Sequence, residues 1–319
     1  MMRVAVLDDY QGIALRLADW KSLQPEVQVE AFPEHIADIE TLAKRLHAFE
    51  CVVLMRERTP LRRALIDKLP NLKLVITTGM VNASVDAAAL AERGIVFCGT
   101  DGVGHSTAEL TWGLIISLFR SIPHEDHALR QGRWQTRIGY GLKGKTLGII
   151  GLGRLGSMVA GYGKAFGMEV LGWSRSFTDA RAAELGIKRV DKEAIFAQSD
   201  VVTLHVNLND SSRGLVTAAE LGRMKPTAYL VNTSRAPVVD EGALLAALKG
   251  RKIAGAAIDV FDVEPVTKGH PFFELDNVIV TPHLGYVIEE NLRINYQSAI
   301  ENIRAFLAGK PIRLVKPRS

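Results

Sequence analysis

Short runs of β-branched and aliphatic residues alternate with helical patterns along almost the whole chain, and this alternation leaves few architectures open. Residues 3–7 (RVAVL), 27–31 (VQVEA), 51–55 (CVVLM), 73–76 (KLVI) and 95–97 (IVF) read as strands. Helical stretches lie between them, among them 36–48 and 61–68, the latter preceded by Thr59-Pro60, which reads as an N-cap followed by proline at the first helical position. Such a series builds a parallel sheet with helices on both faces. The pattern then restarts. Residues 146–150, 168–173, 200–205, 227–231, 253–258 and 277–280 read as strands, with helices over 154–166, 191–198 and 240–250. A chain of 319 residues exceeds what one core ordinarily serves. Two wound sheets therefore mean two domains, joined by a long, mostly apolar helix at 106–121 (STAELTWGLIISLFRS). A further amphipathic segment, about 288–307, either finishes the second domain or crosses back to the first.

Composition narrows the function classes. Hydrophobic residues make up 47% and charged residues 23%, the balance of a globular protein in water. The net charge of +4, with an isoelectric point near 9.0, suits anionic ligands, but the basic residues are scattered and no Lys/Arg run points to nucleic acid. Cys51 and Cys98 stand alone, outside any CxxC or Cys/His cluster, so neither a disulfide framework nor a zinc site is expected. His105, His124 and His127 lack a third close ligand and read as helix-surface residues, so no metal is expected. The first residues read as a strand rather than a signal peptide, and no stretch is long and apolar enough for a membrane span. A cytoplasmic protein is the expectation.

Gly151-Leu152-Gly153-Arg154-Leu155-Gly156 follows an apolar strand and opens a helix, the context in which GxGxxG carries information. Gly151 permits the tight turn, Gly153 lets the backbone approach a pyrophosphate, and Gly156 lets helix pack on strand. The N–H groups of Arg154 and Leu155 then face phosphate at the positive end of the helix. The next strand should end in an acid that binds the adenosine ribose. Ser174 stands there, followed by Arg175 and Ser176. An acid would repel a 2′-phosphate by roughly 3 kcal/mol at ~5 Å and an effective dielectric near 20, on the order of a hundredfold in affinity. Ser174 removes that repulsion and Arg175 supplies a guanidinium fork. NADP is the expected cofactor, with NAD the alternative.

Three further residues lie just beyond strands of the second sheet, where ligands of open α/β sheets bind. Arg235 follows TAYLV, and its guanidinium suits a carboxylate and the neighbouring carbonyl. Glu264 follows the strand ending at Asp259, and His283 follows NVIV. An imidazole that donates a proton works best with a pKa near the operating pH, and a carboxylate on its other nitrogen aims it and stabilises its charged form. Asp259 is a candidate acceptor for the nicotinamide carboxamide. Thr107, on the long helix, is counted with the cofactor-contacting residues.

At this point the chain resembles the D-isomer-specific 2-hydroxyacid dehydrogenase family. The resemblance rests on GLGRLG, SDVVTLHVNLNDSSRGLV, MKPTAYLVNTSRAPVVD, AAIDVFDVEP and TPHLG, and spans nearly the whole length. It implies an α/β fold of two doubly wound parallel-sheet domains, a Rossmann-type cofactor domain (101–285) inserted into a flavodoxin-like substrate domain (1–100 and 286–319). It implies that Arg235, Glu264 and His283 match the substrate-binding and catalytic residues, and that the protein is a homodimer. Thr78-Gly79-Met80-Val81-Asn82 matches the loop whose N–H groups hold the substrate carboxylate, and Arg56 matches an arginine near that pocket. Three positions depart from the pattern. Ser174 replaces the usual acid, Asn207 stands where HxP has proline, and Tyr286 stands where small residues are common and is expected to shape the substrate pocket.

The reading is therefore an oxidoreductase that moves a hydride between NAD(P)H and a small 2-oxo acid to give a D-2-hydroxy acid. The chain lacks the extra C-terminal domain of some phosphoglycerate dehydrogenases, which favours a glyoxylate/hydroxypyruvate-type reductase. The alternatives are a dehydrogenase of another small anion, such as formate or phosphite, and an NAD(H)-sensing corepressor-like binding protein.

Overall fold

Among the described residues, every ladder pairing between strands is parallel. The structure is a computed structural model and describes residues 1–266 and 268–316. Its chain divides into two compact units, Met1–Val103 with Val287–Ser319, and Gly104–Tyr286. The first crossing falls three residues later than the sequence suggested. The reason is local: the Val103 N–H donates to Asn291 Oδ1 (2.9 Å), and the Asp101 carbonyl accepts from Asn295 Nδ2 (2.7 Å), which tie this segment to the C-terminal helix. The second crossing falls after Tyr286, which closes the short turn Leu284–Tyr286.

In the first unit β1 (Met2–Val6), β2 (Val27–Ala31), β3 (Cys51–Leu54), β4 (Leu74–Thr77) and β5 (Val96–Cys98) form one sheet in the order β2-β1-β3-β4-β5. That is the 2-1-3-4-5 order of the flavodoxin-like winding. Residues of β3 (CVVL) and β4 (LVIT) are all buried, as a parallel sheet covered on both faces requires. The helix Ile39–Leu46 is capped by Asp38, whose carboxylate accepts from the Thr41 N–H (2.9 Å), and it buries Leu42, Ala43 and Leu46. The helix Glu289–Leu307 belongs to this unit and buries Leu292, Tyr296, Ala299, Ile300 and Ile303. The helix expected over 61–68 is shorter, Arg63–Ile66, with Arg62 at its N-cap. Thr59 does not cap it; its hydroxyl donates instead to Asp8 Oδ2 (2.7 Å).

In the second unit β6 (Thr146–Ile150), β7 (Glu169–Trp173), β8 (Lys188–Arg189), β9 (Val201–Leu204), β10 (Tyr229–Asn232), β11 (Gly255–Ile258) and β12 (Val278–Val280) pair in the order β12-β11-β10-β9-β6-β7-β8. Counted from β6 this is the dinucleotide-binding order 3-2-1-4-5-6 with one strand added. Neighbouring residues of one strand enter cores on opposite faces: Ile149, Val231 and Ala257 pack with Trp112, Ile115 and Phe119 of the helix Ser106–Arg120, whereas Ile150, Leu230 and Ala256 pack with Leu244 and Leu248 of the helix Glu241–Lys249. No helix among the described residues is long and apolar enough to cross a membrane.

Candidate active site

The glycine turn sits where the order of the second sheet reverses, between β6 and β9. Gly151 leaves β6 at φ +94, and its N–H donates to the Trp173 carbonyl (2.9 Å). A side chain there would overlap the His205 carbonyl oxygen, so the left-handed turn and the close approach of β9 both demand glycine. A Cβ at Gly156 would overlap the Gly151 carbonyl oxygen. Gly153 is the N-cap of the helix Arg154–Ala165; no side chain caps that end, and open space lies beside Gly153. The uncapped N–H groups at Arg154 and Leu155 thus stand beside the bare Gly153 backbone at the positive end of a helix, which fits the pyrophosphate of a dinucleotide. Gly156→Ala is expected to cost roughly 1–3 kcal/mol through this overlap. Thermal unfolding should show it as a Tm several degrees lower, and an unchanged Tm counts against the packing described.

At the end of β7, Ser174 is half-buried, and its carbonyl accepts from the Phe177 N–H (3.1 Å), closing a turn that leaves Arg175 and Ser176 exposed. Arg175 makes no side-chain hydrogen bond or ion pair among the described residues. The nearby acid Asp179 is paired with Arg189 (3.1 Å). Beyond β9, burial lowers the pKa of His205 to about 4, so its ring is neutral at physiological pH and shares a hydrogen bond with Thr203 Oγ1 (3.1 Å). The exposed Asn207 leads into a loop closed by Ser212, whose hydroxyl donates to the Asn207 carbonyl (2.6 Å).

Arg235, Glu264 and His283 follow three adjacent strands. Beyond β10, the Asn232 side chain accepts from the Ser234 N–H (3.0 Å) and donates to the Arg235 carbonyl (3.0 Å), folding the turn that presents Arg235. Its Nη1 donates to the Ser234 carbonyl (2.8 Å), which fixes the plane of the guanidinium. Beyond β12, His283 adopts a left-handed backbone (φ 53) and is 9% exposed. Its Nδ1 donates to Glu264 Oε2 (2.7 Å), and Glu264 Oε1 accepts from the Phe261 N–H (2.9 Å). With both carboxylate oxygens held, Glu264 fixes the orientation of the imidazole through Nδ1. Tyr286 packs edge-on against the imidazole, with ring centroids 5.6 Å apart.

Asp259 has a task the sequence did not disclose. Fully buried, its carboxylate accepts from the Thr281 hydroxyl (2.6 Å), the Leu284 N–H (2.7 Å) and the Gly285 N–H (3.0 Å), residues on both sides of His283. Burial pushes its pKa up, and these donors together with His283 oppose that shift. Three of about four acceptor positions on the carboxylate are filled. Thr107 joins the same clasp, its hydroxyl donating to the Gly285 carbonyl (2.8 Å).

In the first unit, the loop after β4 leaves Met80 and Val81 nearly half exposed, and the backbone N–H groups of Met80, Val81 and Asn82 make no hydrogen bond among the described residues. Asn82 is a scaffold: its Nδ2 donates to the Arg56 carbonyl (2.6 Å) and to Thr77 Oγ1 (2.9 Å). Arg56 Nη1 donates to the Thr78 carbonyl (2.9 Å). Among the described residues no group of three His, Cys, Asp or Glu side chains is placed to hold a metal. His105 pairs loosely with Glu109 (3.8 Å), while His124 and His127 bond to Thr136 and Gln131.

Residues 112–285 match the model of the D-isomer specific 2-hydroxyacid dehydrogenase, NAD binding domain. The chain is 39% identical over 256 residues to the glyoxylate reductase of Aeropyrum pernix, covering 77% of this chain and 76% of that protein. It is 34% identical over 315 residues to the glycerate dehydrogenase of Methylorubrum extorquens, covering 93% and 97%. Among solved structures it resembles the phosphoglycerate oxidoreductase of Vibrio cholerae O395, with a TM-score of 0.92, 39% identity, and coverage of 97% and 100%.

Proposed function

Because the chain belongs to the D-isomer-specific 2-hydroxyacid dehydrogenase family, we propose that it reduces a small 2-oxo acid to the D-2-hydroxy acid, with NADPH preferred over NADH. The observation that carries this reading is the Glu264–His283 pair at 2.7 Å, on the loop that the Asp259 carboxylate holds from both sides. A nicotinamide, when bound, supplies the hydride to the carbonyl carbon. Arg235 grips the substrate carboxylate and polarises the carbonyl oxygen. His283 gives a proton from Nε2 to the developing alkoxide, and Glu264 keeps that nitrogen aimed. Asp259 holds the His283 loop, and its remaining acceptor position suits the carboxamide. The second unit takes the dinucleotide; in the first, the Met80–Asn82 N–H groups are the part suited to an anion, with Arg56 beside them.

Glyoxylate and glycerate, in the names of relatives covering three quarters or more of both chains, are two- and three-carbon acids, which supports a glyoxylate/hydroxypyruvate-type substrate. The family resemblance also supports a homodimer. NADPH preference is supported by Ser174, which leaves no acid at the end of β7, and by Arg175, whose side chain has no partner among the described residues. Absorbance at 340 nm with NADPH or NADH and a panel of 2-oxo acids tests the reading; no oxidation with any acid refutes it. Ser174→Asp is expected to lower kcat/KM for NADPH on the order of a hundredfold by like-charge repulsion, with NADH little affected. Equal loss for both cofactors removes the assigned role of Ser174.

A further inference from the structure

The end of β1 carries a buried acid that none of these steps uses. Asp8 is 2% exposed, with a left-handed backbone at φ 57. Its Oδ2 accepts from the Thr59 hydroxyl (2.7 Å), and its Oδ1 from His35 Nδ1 (2.9 Å) and the Tyr10 hydroxyl (3.4 Å). The donors come from three separate connections: Tyr10 follows β1, His35 follows β2, and Thr59 follows β3. Asp9 already does the capping work here, accepting from the Ile13 and Ala14 N–H groups (3.0 Å each), so Asp8 is not needed to start the next helix. Nor does the Asp8 side chain hold the sheet, because the strand pairing on either side of it is made by backbone groups, the Leu7 N–H on the Val53 carbonyl (3.0 Å) and the Asp9 N–H on the Phe32 carbonyl (2.9 Å). Its bonds act on the loops alone.

The loop held by Thr59 is the one that carries Arg56. Arg56 is also left-handed, at φ 50, so adjacent strands β1 and β3 each end in a strained non-glycine residue. This is where the order of the first sheet reverses, the crevice at which open α/β sheets bind ligands. Backbone strain of this kind persists only where surrounding bonds over-determine it, and it collects at functional positions. We propose that Asp8 is a positioning residue: by accepting from Thr59 and His35 it fixes the conformation in which residues 55–59 present Arg56, and so sets affinity for the acid substrate. The proposal rests on the reading of Arg56 as a substrate-facing arginine.

Thr59→Val deletes the hydroxyl at nearly constant volume, whereas Thr59→Ser keeps it. Thr59→Val is expected to raise KM for the preferred 2-oxo acid about tenfold, with kcat and the KM for the nicotinamide cofactor within about twofold, and Thr59→Ser to restore the wild-type KM. His35→Leu and His35→Asn form a second pair, the asparagine keeping a donor near the Nδ1 position. Hydrogen exchange of amides 55–60 follows the loop without any turnover, and it should quicken in Thr59→Val and His35→Leu but not in their conservative partners. Unchanged exchange in both disruptive variants overturns the positioning role, as does a fall in kcat without a change in KM. Exchange that responds as expected in an enzyme whose Arg56→Ala variant keeps its KM supports Asp8 as the keystone of the loop and removes the reading of Arg56 instead.

Discussion

Replacing His283 with alanine is expected to lower kcat for 2-oxo acid reduction by about 10²–10⁴-fold, the range of a positioned general acid. Dinucleotide affinity should be unchanged, because the glycine cradle and the end of β7 lie on other strands of the sheet. The Glu264→Gln variant sharpens the test. Glu264 accepts twice, from His283 Nδ1 and from the Phe261 N–H. A glutamine offers one oxygen and one amino group, so it cannot satisfy both donors, and it removes the charge beside the imidazole. Its loss should fall between those of wild type and His283→Ala. Steady-state kinetics, with NADPH fluorescence titration for binding, read both quantities. A His283→Ala enzyme within tenfold of wild type would assign the proton to another group and sink this mechanism.

Asp259 shows why the dyad was legible in sequence and its support was not. Arg235, Glu264 and His283 stand beyond strand ends as chemically distinctive side chains, and strand ends of open α/β sheets are where ligands go. The Asp259 carboxylate spends its acceptors on the Thr281 hydroxyl and the Leu284 and Gly285 N–H groups. Two of those donors are backbone groups, and backbone donors leave no mark in a sequence. The same holds for Asp8, whose partners His35 and Thr59 lie 27 and 51 residues away. Thr59-Pro60 carried the right residue types for a helix start, but the tertiary bond to Asp8 took the hydroxyl, and the helix begins later, at Arg63. Local capping chemistry is a weak prior when a buried carboxylate competes for the same hydroxyl.

The central strands, such as β3 and β4, are legible as apolar runs because parallel strands are buried on both faces. The missed strand, β8, is two exposed residues, Lys188 and Arg189, with no apolar signal. The helix Ile122–Arg130 was missed for a related reason: it buries only Ala128, so no stripe of period 3.6 marks it. The helix Glu289–Leu307 has a stripe, but periodicity says only that a helix has a buried face and not which sheet covers it. Its buried asparagines decide the matter, since Asn291, Asn295 and Asn302 bond to the backbone of residues 99–103.

The second large effect is expected at Arg235. Arg235→Lys keeps the charge but replaces a planar fork by a point charge on a flexible stem, and kcat/KM for a 2-oxo acid should fall by about 10²–10³-fold, the cost of losing one aimed donor at a developing oxyanion. Arg235→Leu should fall at least as far. The argument for a fork rests on how much of the local structure is devoted to orienting it. Asn232 bonds to both the Ser234 N–H and the Arg235 carbonyl, and Arg235 Nη1 is tethered to the Ser234 carbonyl at 2.8 Å. Lysine has no planar group for that tether to orient, so its ammonium is expected to lose both the polarisation of the carbonyl and the grip on the carboxylate. The split between the parameters is informative. Loss confined to KM makes Arg235 a ground-state anchor, whereas loss in kcat as well places its donors on the charge that develops in the transition state. An Arg235→Lys enzyme with wild-type kcat/KM would show that charge alone suffices, and the fork would then have no part in the chemistry.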